Sequence, residues 1–230
     1  AVWKRLKELG LHIEHRPRPY KEDRGPSASS PLKIRKDDIF AKAEDIKAIY
    51  DEFYRKRPEI TRLPFKKLDK GIFVSSDIKE LIRVFRVIRK YYPNAKTFVD
   101  FGSGDGRVVI LASLFGFRAT GIEYDQKLAD FSIIIKIYLI ELGLIEEDRV
   151  EFIQADAYEF ALSMYDVIFV ADTDGLDKER LQSKINTEAK EDSVIILHHP
   201  KGPLGRLKPL RRLMLRHPFL FNNFEGRTML

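Results

Sequence analysis

The sequence predicts an α/β fold in which a doubly wound, mostly parallel sheet is covered by helices. From residue 96 onward, short runs rich in β-branched and aromatic residues alternate with longer runs of helical periodicity. A glycine-rich turn follows the first of these β-rich runs, and acidic residues stand near the ends of the next two. Strand–helix alternation at this spacing is typical of βαβ units, whose parallel sheet is covered on both faces.

The alternating region is expected to contain five strands, over 97–101, 118–123, 149–155, 165–170 and 193–199. Three helices are expected between them, over 107–116, 127–143 and 177–190. Further along, 209–217 has helical periodicity and 219–230 is typical of a closing antiparallel hairpin.

Two more helices are predicted ahead of this region. In the first, apolar residues recur every three or four positions from Ile39 to Phe53, behind an acidic start. The second begins near Ser76 and ends before Pro93. Since 16–36 is rich in proline and serine, it is predicted to be a linker. The predicted organisation is therefore a basic arm (1–36), a helical extension (37–69) and an α/β domain (70–230).

Composition excludes several classes of protein. The chain has 230 residues and no cysteine, so it has no disulfides, thiolate zinc sites or cysteine nucleophile. Its longest apolar run, 131–144, is interrupted by Lys136 and Glu141 and is shorter than the ~18 residues of a membrane span. The first residues lack the apolar run of a signal peptide. A soluble, cytoplasmic protein without a membrane partner is expected.

Charge is concentrated at the two ends of the chain. Residues 1–36 carry ten Lys and Arg against four Asp and Glu, and residues 201–230 carry seven against one. The net charge is +6, so the middle of the chain is acidic. Basic ends can attract RNA, an acidic protein or an anionic ligand. Solvated basic termini are the simpler interpretation.

The glycine-rich turn lies in "FVDFGSGDGR", residues 98–107. A phosphate-binding P-loop would need a Lys-Ser or Lys-Thr pair, which is missing, and a dinucleotide loop would need a third glycine at the position of Arg107. Asp100 would repel a pyrophosphate but attract a cationic or amine-bearing ligand. S-adenosylmethionine has a sulfonium and an amino group and no phosphate. The turn therefore favours that ligand.

The next two strand ends support the same ligand. Glu123 lies 21 positions beyond Gly102, where a carboxylate can accept both hydroxyls of a ribose. The third strand ends in "QADAYEF", which places Asp156 and Ala157 at the same edge of the sheet. Each feature also has a purely structural interpretation: turn glycines, a surface acid at 123, and a helix cap at 156.

The stretch "VDFGSGDG" resembles the first motif of the class I S-adenosylmethionine-dependent methyltransferases. The longer phrase "VDFGSGDGRVVILAS" is similar to that of the class I protein lysine methyltransferases, which include disruptor-of-silencing-like enzymes and short archaeal relatives. This resemblance covers about residues 70–160. It implies a Rossmann-like, seven-stranded domain with S-adenosylmethionine as its cofactor.

The resemblance also implies roles for individual residues. Asp100 would hold the amino group of the cofactor, Glu123 its ribose, and Asp156 its adenine amino group. Asp105 is a candidate for the amino-acid end, and the alternative is an N-cap of the helix at 107–116. The complete predicted set of cofactor-binding residues is Asp100, Gly102, Ser103, Gly104, Asp105, Gly106, Glu123, Tyr124, Asp156, Ala157 and Ser75, the last in a loop that folds over the cofactor.

Two residues are candidates for catalysis at the methyl acceptor. Asp172, in "VADTDGLD" after the fourth strand, could orient an amine or remove its proton; the alternative is a turn residue. His198, at the end of the fifth strand, is a candidate base. Because metal-dependent relatives need acids where this chain has His-His-Pro, no metal site is expected.

The predicted function is methyl transfer to a protein lysine. The missing N-P-P-Y motif disfavours methylation of bases, glutamine and asparagine. RNA, held by the basic termini, is the alternative acceptor. A catalytically silent module that binds S-adenosylmethionine is the alternative from another class.

Overall fold

The computed structural model describes residues 36–56, 65–68, 71–171, 176–198, 219–223 and 227–229. Its helices are α1 (Lys36–Lys56), α2 (Ile78–Tyr91), α3 (Arg107–Leu114), α4 (Gln126–Glu141) and α5 (Lys178–Glu188). Its strands are β1 (Phe65–Leu68), β2 (Gly71–Val74), β3 (Thr97–Phe101), β4 (Arg118–Glu123), β5 (Val150–Gln154), β6 (Val167–Ala171), β7 (Val194–His198), β8 (Phe219–Asn223) and β9 (Arg227–Met229). Short 3₁₀ helices cover Glu147–Arg149 and Ala157–Glu159.

The main sheet has the strand order β5-β4-β3-β6-β7-β8-β9. The strands from β5 to β8 in that order are parallel to one another, and β9 pairs with β8 in the antiparallel direction. The predicted α/β class and mostly parallel sheet are confirmed. Because the chain extends the sheet from β3 first toward β5 and then, from β6, in the opposite direction, the carboxyl ends of β3 and β6 form a topological switch point. Open α/β sheets bind ligands at such points.

Helices cover both faces of the sheet. Alternate residues of a strand point to opposite faces, so Phe98 packs in a core with α1 to α4 while its neighbour Val99 packs in a second core with α5. The strands β6 and β7 are buried along their whole apolar length, as expected for strands covered on both sides. This confirms the doubly wound arrangement.

Acidic residues begin three of the helices. Asp77, Asp125 and Asp177 are the N-caps of α2, α4 and α5, and each side chain accepts a hydrogen bond from the backbone N–H three residues later. Such caps satisfy N–H groups that have no partner within the helix. The chain therefore leaves the carboxyl end of β4 directly into α4, without a long loop over the sheet edge.

Helix α1 belongs to the first of these cores. Its residues Ala43, Ile46, Tyr50 and Phe53 are almost completely buried there. The ring of Phe53 lies 6.1 Å from that of Phe131 in α4, in an edge-to-face arrangement. The helical extension thus packs onto the sheet-covering helices. The division of the chain at residue 70 stays a prediction.

The observed elements differ from the predicted ones mainly between residues 65 and 74. There, β1 and β2 pair with each other in the antiparallel direction, whereas the sequence predicted only a loop before α2. Each strand has four residues, which is too short for an alternating apolar pattern to be recognised. The predicted hairpin at 219–230 corresponds to β8 and β9, and the predicted helix at 209–217 lies outside the described residues. No helix within the described ranges is long and apolar enough to cross a membrane.

Candidate functional site

A cleft lies at the carboxyl ends of β3, β4, β5 and β6. Nine of the eleven predicted cofactor-binding residues line it, and the exceptions are Gly106 and Ser75. Residues far apart in the sequence, such as Asp100, Glu123 and Asp156, therefore meet at one edge of the sheet. This juxtaposition follows from the parallel pairing of their strands.

The three glycines of the turn have left-handed backbone conformations but do not share one role. Gly102 has φ +86° and no atom within 4 Å of the place where a Cβ would stand, so it leaves room in the cleft. A Cβ on Gly104 would lie 2.5 Å from the ring of Phe73, and one on Gly106 would lie 2.5 Å from the ring of Phe152. Packing inside the protein therefore accounts for Gly104 and Gly106, whereas the sequence predicted close approach of a ligand for all three.

Asp100 is the most strained electrostatic element of the cleft. Its side chain is 1% exposed, and its Oδ1 has no hydrogen-bond partner among the described residues. Burial, together with the neighbouring carboxylates of Glu123 and Asp105, raises the pKa of Asp100 well above its ordinary value. A buried carboxylate without partners costs free energy. A ligand with a cationic or N–H-bearing group would remove that cost.

Glu123 holds the turn together from the side of β4. Its Oε2 accepts the N–H of Gly104 at 2.7 Å, and its Oε1 accepts the N–H of Asp125 at 2.8 Å. Burial raises the pKa of the Glu123 carboxyl, and these backbone hydrogen bonds oppose the rise. A carboxylate offers about four lone-pair positions, so both oxygens keep capacity for further donors such as hydroxyls.

Asp105 makes an ion pair instead of capping a helix. Its Oδ2 accepts hydrogen bonds from Arg107 Nε at 2.8 Å and from the hydroxyl of Tyr54. The N-cap of α3 is Gly106, so the predicted alternative of an Asp105 cap is wrong, although its Oδ1 accepts the N–H of Arg107 at 3.2 Å. The physical reason is that the buried guanidinium next to it is the stronger partner.

Asp156 combines the two interpretations of the sequence. It is the N-cap of the short helix Ala157–Glu159, and its Oδ1 accepts the N–H of Tyr158 at 3.0 Å. It also lines the cleft together with Ala157. Tyr124 lies at the rim of the cleft and is 44% exposed.

The serine predicted to close over the cleft is displaced by one position. Ser76 is buried and lines the cleft, whereas Ser75 lines a neighbouring groove beside Lys47 and Tyr50. The contribution of Ser75 to cofactor binding stays a prediction.

The two candidate catalytic residues do not lie in the described part of the cleft. Asp172 is outside the described residues. His198 is described and completely buried, with its ring 5.3 Å from that of Phe169, and it does not line the cleft. Phe169 and Ala171 form the wall at the end of β6 instead. Both catalytic roles stay predictions.

Sequence reasoning missed several residues of the cleft. The ring of Tyr158 packs edge-to-face against Phe101 at 4.9 Å, and both rings line the cleft. Phe73, Ser76 and Arg107 also line it, from segments on either side of α2. The aromatic residue in "DAYEF" and the arginine in "GDGR" were visible signals, but only the fold shows which way their side chains point.

Known proteins were compared with the chain. A lysine N-methyltransferase of Caenorhabditis elegans that is named for an ATP synthase component is 38% identical over 79 residues, which are 34% of this chain and 39% of that protein. The chain thus spans about two fifths of the length of this curated relative. The predicted resemblance to lysine methyltransferases is confirmed by this match. No known family profile matches the chain.

Among solved structures, an RNA methyltransferase from Salinibacter ruber in complex with S-adenosyl-L-homocysteine has a TM-score of 0.43 and 24% identity. The similarity covers 64% of this chain and 86% of that one. A glycopeptide N-methyltransferase complexed with sinefungin has a TM-score of 0.45 and 15% identity, over 61% of this chain and 57% of that one.

Proposed function

We propose that the chain binds S-adenosylmethionine in the cleft and transfers its methyl group to a protein lysine. The observation that carries the cofactor is the buried Asp100 carboxylate, which has an oxygen without a partner among the described residues. It stands at the switch point of the sheet, beside a glycine with open space above it. A ligand with an amino group and no phosphate matches this acidic lining.

The described residues suit the parts of this cofactor. Asp100 would accept from its amino group, and Glu123 would accept from its ribose hydroxyls with the capacity that the backbone bonds leave. Asp156 and Ala157 would meet the adenine, beside the rings of Phe101 and Tyr158. Bound there, S-adenosylmethionine would supply a methyl group that its sulfonium already activates.

The lysine acceptor is supported by the match to a lysine methyltransferase and by the wall at the end of β6. Phe169, Ala171 and Leu176 line the cleft there with apolar surface. An apolar wall disfavours the charged form of an amine and lowers its pKa, so it favours the neutral amine that attacks a methyl group. Holding that amine in line with the methyl group would account for most of the rate.

Calorimetry tests the cofactor. S-adenosylhomocysteine is titrated into the wild-type chain, into Glu123→Ala and into Glu151→Ala, a matched control at an exposed glutamate of β5. Wild type and Glu151→Ala should bind alike, and Glu123→Ala should bind at least about tenfold more weakly, since it loses charge-assisted bonds and a support of the turn. Failure of the wild-type chain to bind would reject the proposed cofactor.

A labelling experiment tests the acceptor. The chain is incubated with methyl-labelled S-adenosylmethionine and cell extract, and the product is treated with protease or nuclease. Label that protease releases and that mass spectrometry places on a lysine supports the proposal. Label that only nuclease releases would replace the lysine by RNA, and an absence of label with intact cofactor binding would favour a silent binding module.

A further inference from the structure

Helix α1 reaches the glycine turn through four side chains that form one buried network. Tyr50 and Tyr54 lie on α1, one turn apart, and Asp105 and Arg107 lie at the end of the turn. The network joins an N-terminal helix to a segment about fifty residues later in the chain.

The contacts of this network converge on Asp105. The hydroxyl of Tyr54 donates to its Oδ2, and the hydroxyl of Tyr50 donates to its backbone carbonyl at 2.9 Å. Arg107 donates to Oδ2 from Nε at 2.8 Å and from Nη2 at 2.6 Å. The guanidinium carbon of Arg107 also lies 4.9 Å from the ring centroid of Tyr50 and 5.3 Å from that of Tyr54.

A third segment joins through the same arginine. Arg107 Nη1 donates to the carbonyl of Ser76 at 3.1 Å, just ahead of α2. Ser76, Asp105 and Arg107 all line the cleft. Burial by itself would lower the pKa of Arg107, but the charge of Asp105 and the two tyrosines raise it above its ordinary value. The pair is therefore ionised and directional inside the protein.

The position of Asp105 explains why the turn needs such an anchor. It stands between Gly104 and Gly106, and glycine backbones have more accessible conformations than any other residue. Glu123 holds the turn from the β4 side through the N–H of Gly104. The contacts of Tyr54 and Tyr50 with Asp105 hold it from the opposite side, where nothing in the βα unit itself supplies a partner for that carboxylate except Arg107.

We propose that Tyr54 is a positioning residue: acting through Asp105, it holds the glycine turn in the conformation that binds the cofactor, so that α1 completes the site. The proposal rests on the proposed function for its ligand. Tyr54→Phe tests it, because the variant keeps the ring that stacks on Phe131 at 5.9 Å and removes only the hydroxyl.

The matched control is Tyr138→Phe. Tyr138 is a buried tyrosine that packs on α1 through Phe53 at 5.7 Å, and it does not line the cleft. Tyr54→Phe should bind S-adenosylhomocysteine about tenfold more weakly, as expected for a lost hydrogen bond to a charged group, and Tyr138→Phe should bind like wild type. Amide hydrogen exchange at 102–106 should become faster in Tyr54→Phe while exchange in β6 is unchanged.

A double variant separates positioning from general packing. If Tyr54 acts through Asp105, Tyr54→Phe should cause little further loss of affinity once Asp105→Asn is present. Equal losses of affinity in Tyr54→Phe and Tyr138→Phe, with unchanged exchange in the turn, would overturn the proposal. If the wild-type chain does not bind the ligand, the proposed function fails, and the exchange of the turn in Tyr54→Phe still decides whether Tyr54 positions it.

Discussion

Asp100 shows how a single residue can serve a ligand at the expense of the folded protein. Burial and two nearby carboxylates raise its pKa, so the folded state disfavours the charged form. For an acid whose pKa is raised on folding, the folded state binds more protons than the unfolded state, and stability falls as pH rises above the ordinary pKa of about 4. At neutral pH Asp100 therefore destabilises the empty protein.

Asp100→Asn should make the empty protein more stable and the binding weaker. We expect the melting temperature at pH 7.5 to rise by roughly 5 °C, since an amide carries no charge to bury. The gain should shrink toward pH 4, and stabilisation by added S-adenosylhomocysteine should largely disappear. Thermal unfolding from pH 4 to 8, with and without that ligand, measures both effects. Asp148→Asn, at an exposed acid, is the control; an equal rise there, or a destabilised Asp100→Asn, would contradict the explanation.

At the scale of elements, Asp166 sets the relation of two parallel strands. Its Oδ2 accepts the N–H groups of Lys96 at 2.6 Å and Thr97 at 2.9 Å, and its Oδ1 pairs with the ammonium of Lys190. Although partial burial opposes it, these hydrogen bonds lower the pKa of Asp166 to about 2. This carboxylate therefore ties the start of β6 to the start of β3, and both strands carry the cleft at their other ends.

Asp166→Asn should destabilise the protein by about 1–2 kcal/mol near pH 6, because one charged acceptor serves several donors. Since the folded pKa is depressed, the stabilisation is present above the unfolded pKa near 4 and is lost as pH falls toward 2. Urea unfolding at pH 6, 4 and 3 should show a difference between wild type and variant that decreases in that order. A difference that grew on acidification would show that the charge of Asp166 is not its source.

At the scale of the whole molecule, α1 and the α/β region share a core and should unfold together. Phe53 is 1% exposed in that core, and Phe40 on the same helix is 40% exposed. Phe53→Ala should lower the stability by about 3–5 kcal/mol, which corresponds to a fall of roughly 10 °C in melting temperature. The fall should apply to one single transition, and Phe40→Ala should have less than about a third of this effect.

Scanning calorimetry with near-ultraviolet circular dichroism measures this prediction. Two separate transitions, of which only the first moved in Phe53→Ala, would mean that residues 37–69 form an independent unit, as the predicted division of the chain implies.

Much of the α/β region could be predicted from the sequence. The strand at 118–123 coincides with β4, and the other predicted strands of the main sheet differ from the observed ones by a few residues at most. These strands are long apolar runs buried on both faces, so local composition predicts them well. The hairpin of β1 and β2 could not be predicted, because its four-residue strands pair only with each other.

The candidate site divides in the same way. Asp100, Gly102, Glu123 and Asp156 were predictable because the end of each parallel strand is readable from the sequence, and parallel strands bring these ends to one edge. Tyr54, Arg107 and Tyr158 were not, since side-chain direction and contacts between distant helices depend on tertiary packing.

The sequence by itself determined the class of fold, the edge of the sheet that holds the site and the acidic character of that site, because each depends on local patterns of apolar, glycine and acidic residues. Only the tertiary structure decided that Gly104 and Gly106 make room for Phe73 and Phe152, that Asp105 pairs with Arg107, and that α1 supports the turn. These are contacts between segments far apart in the chain, and the close packing that creates them exists only once the sheet and its helices have come together.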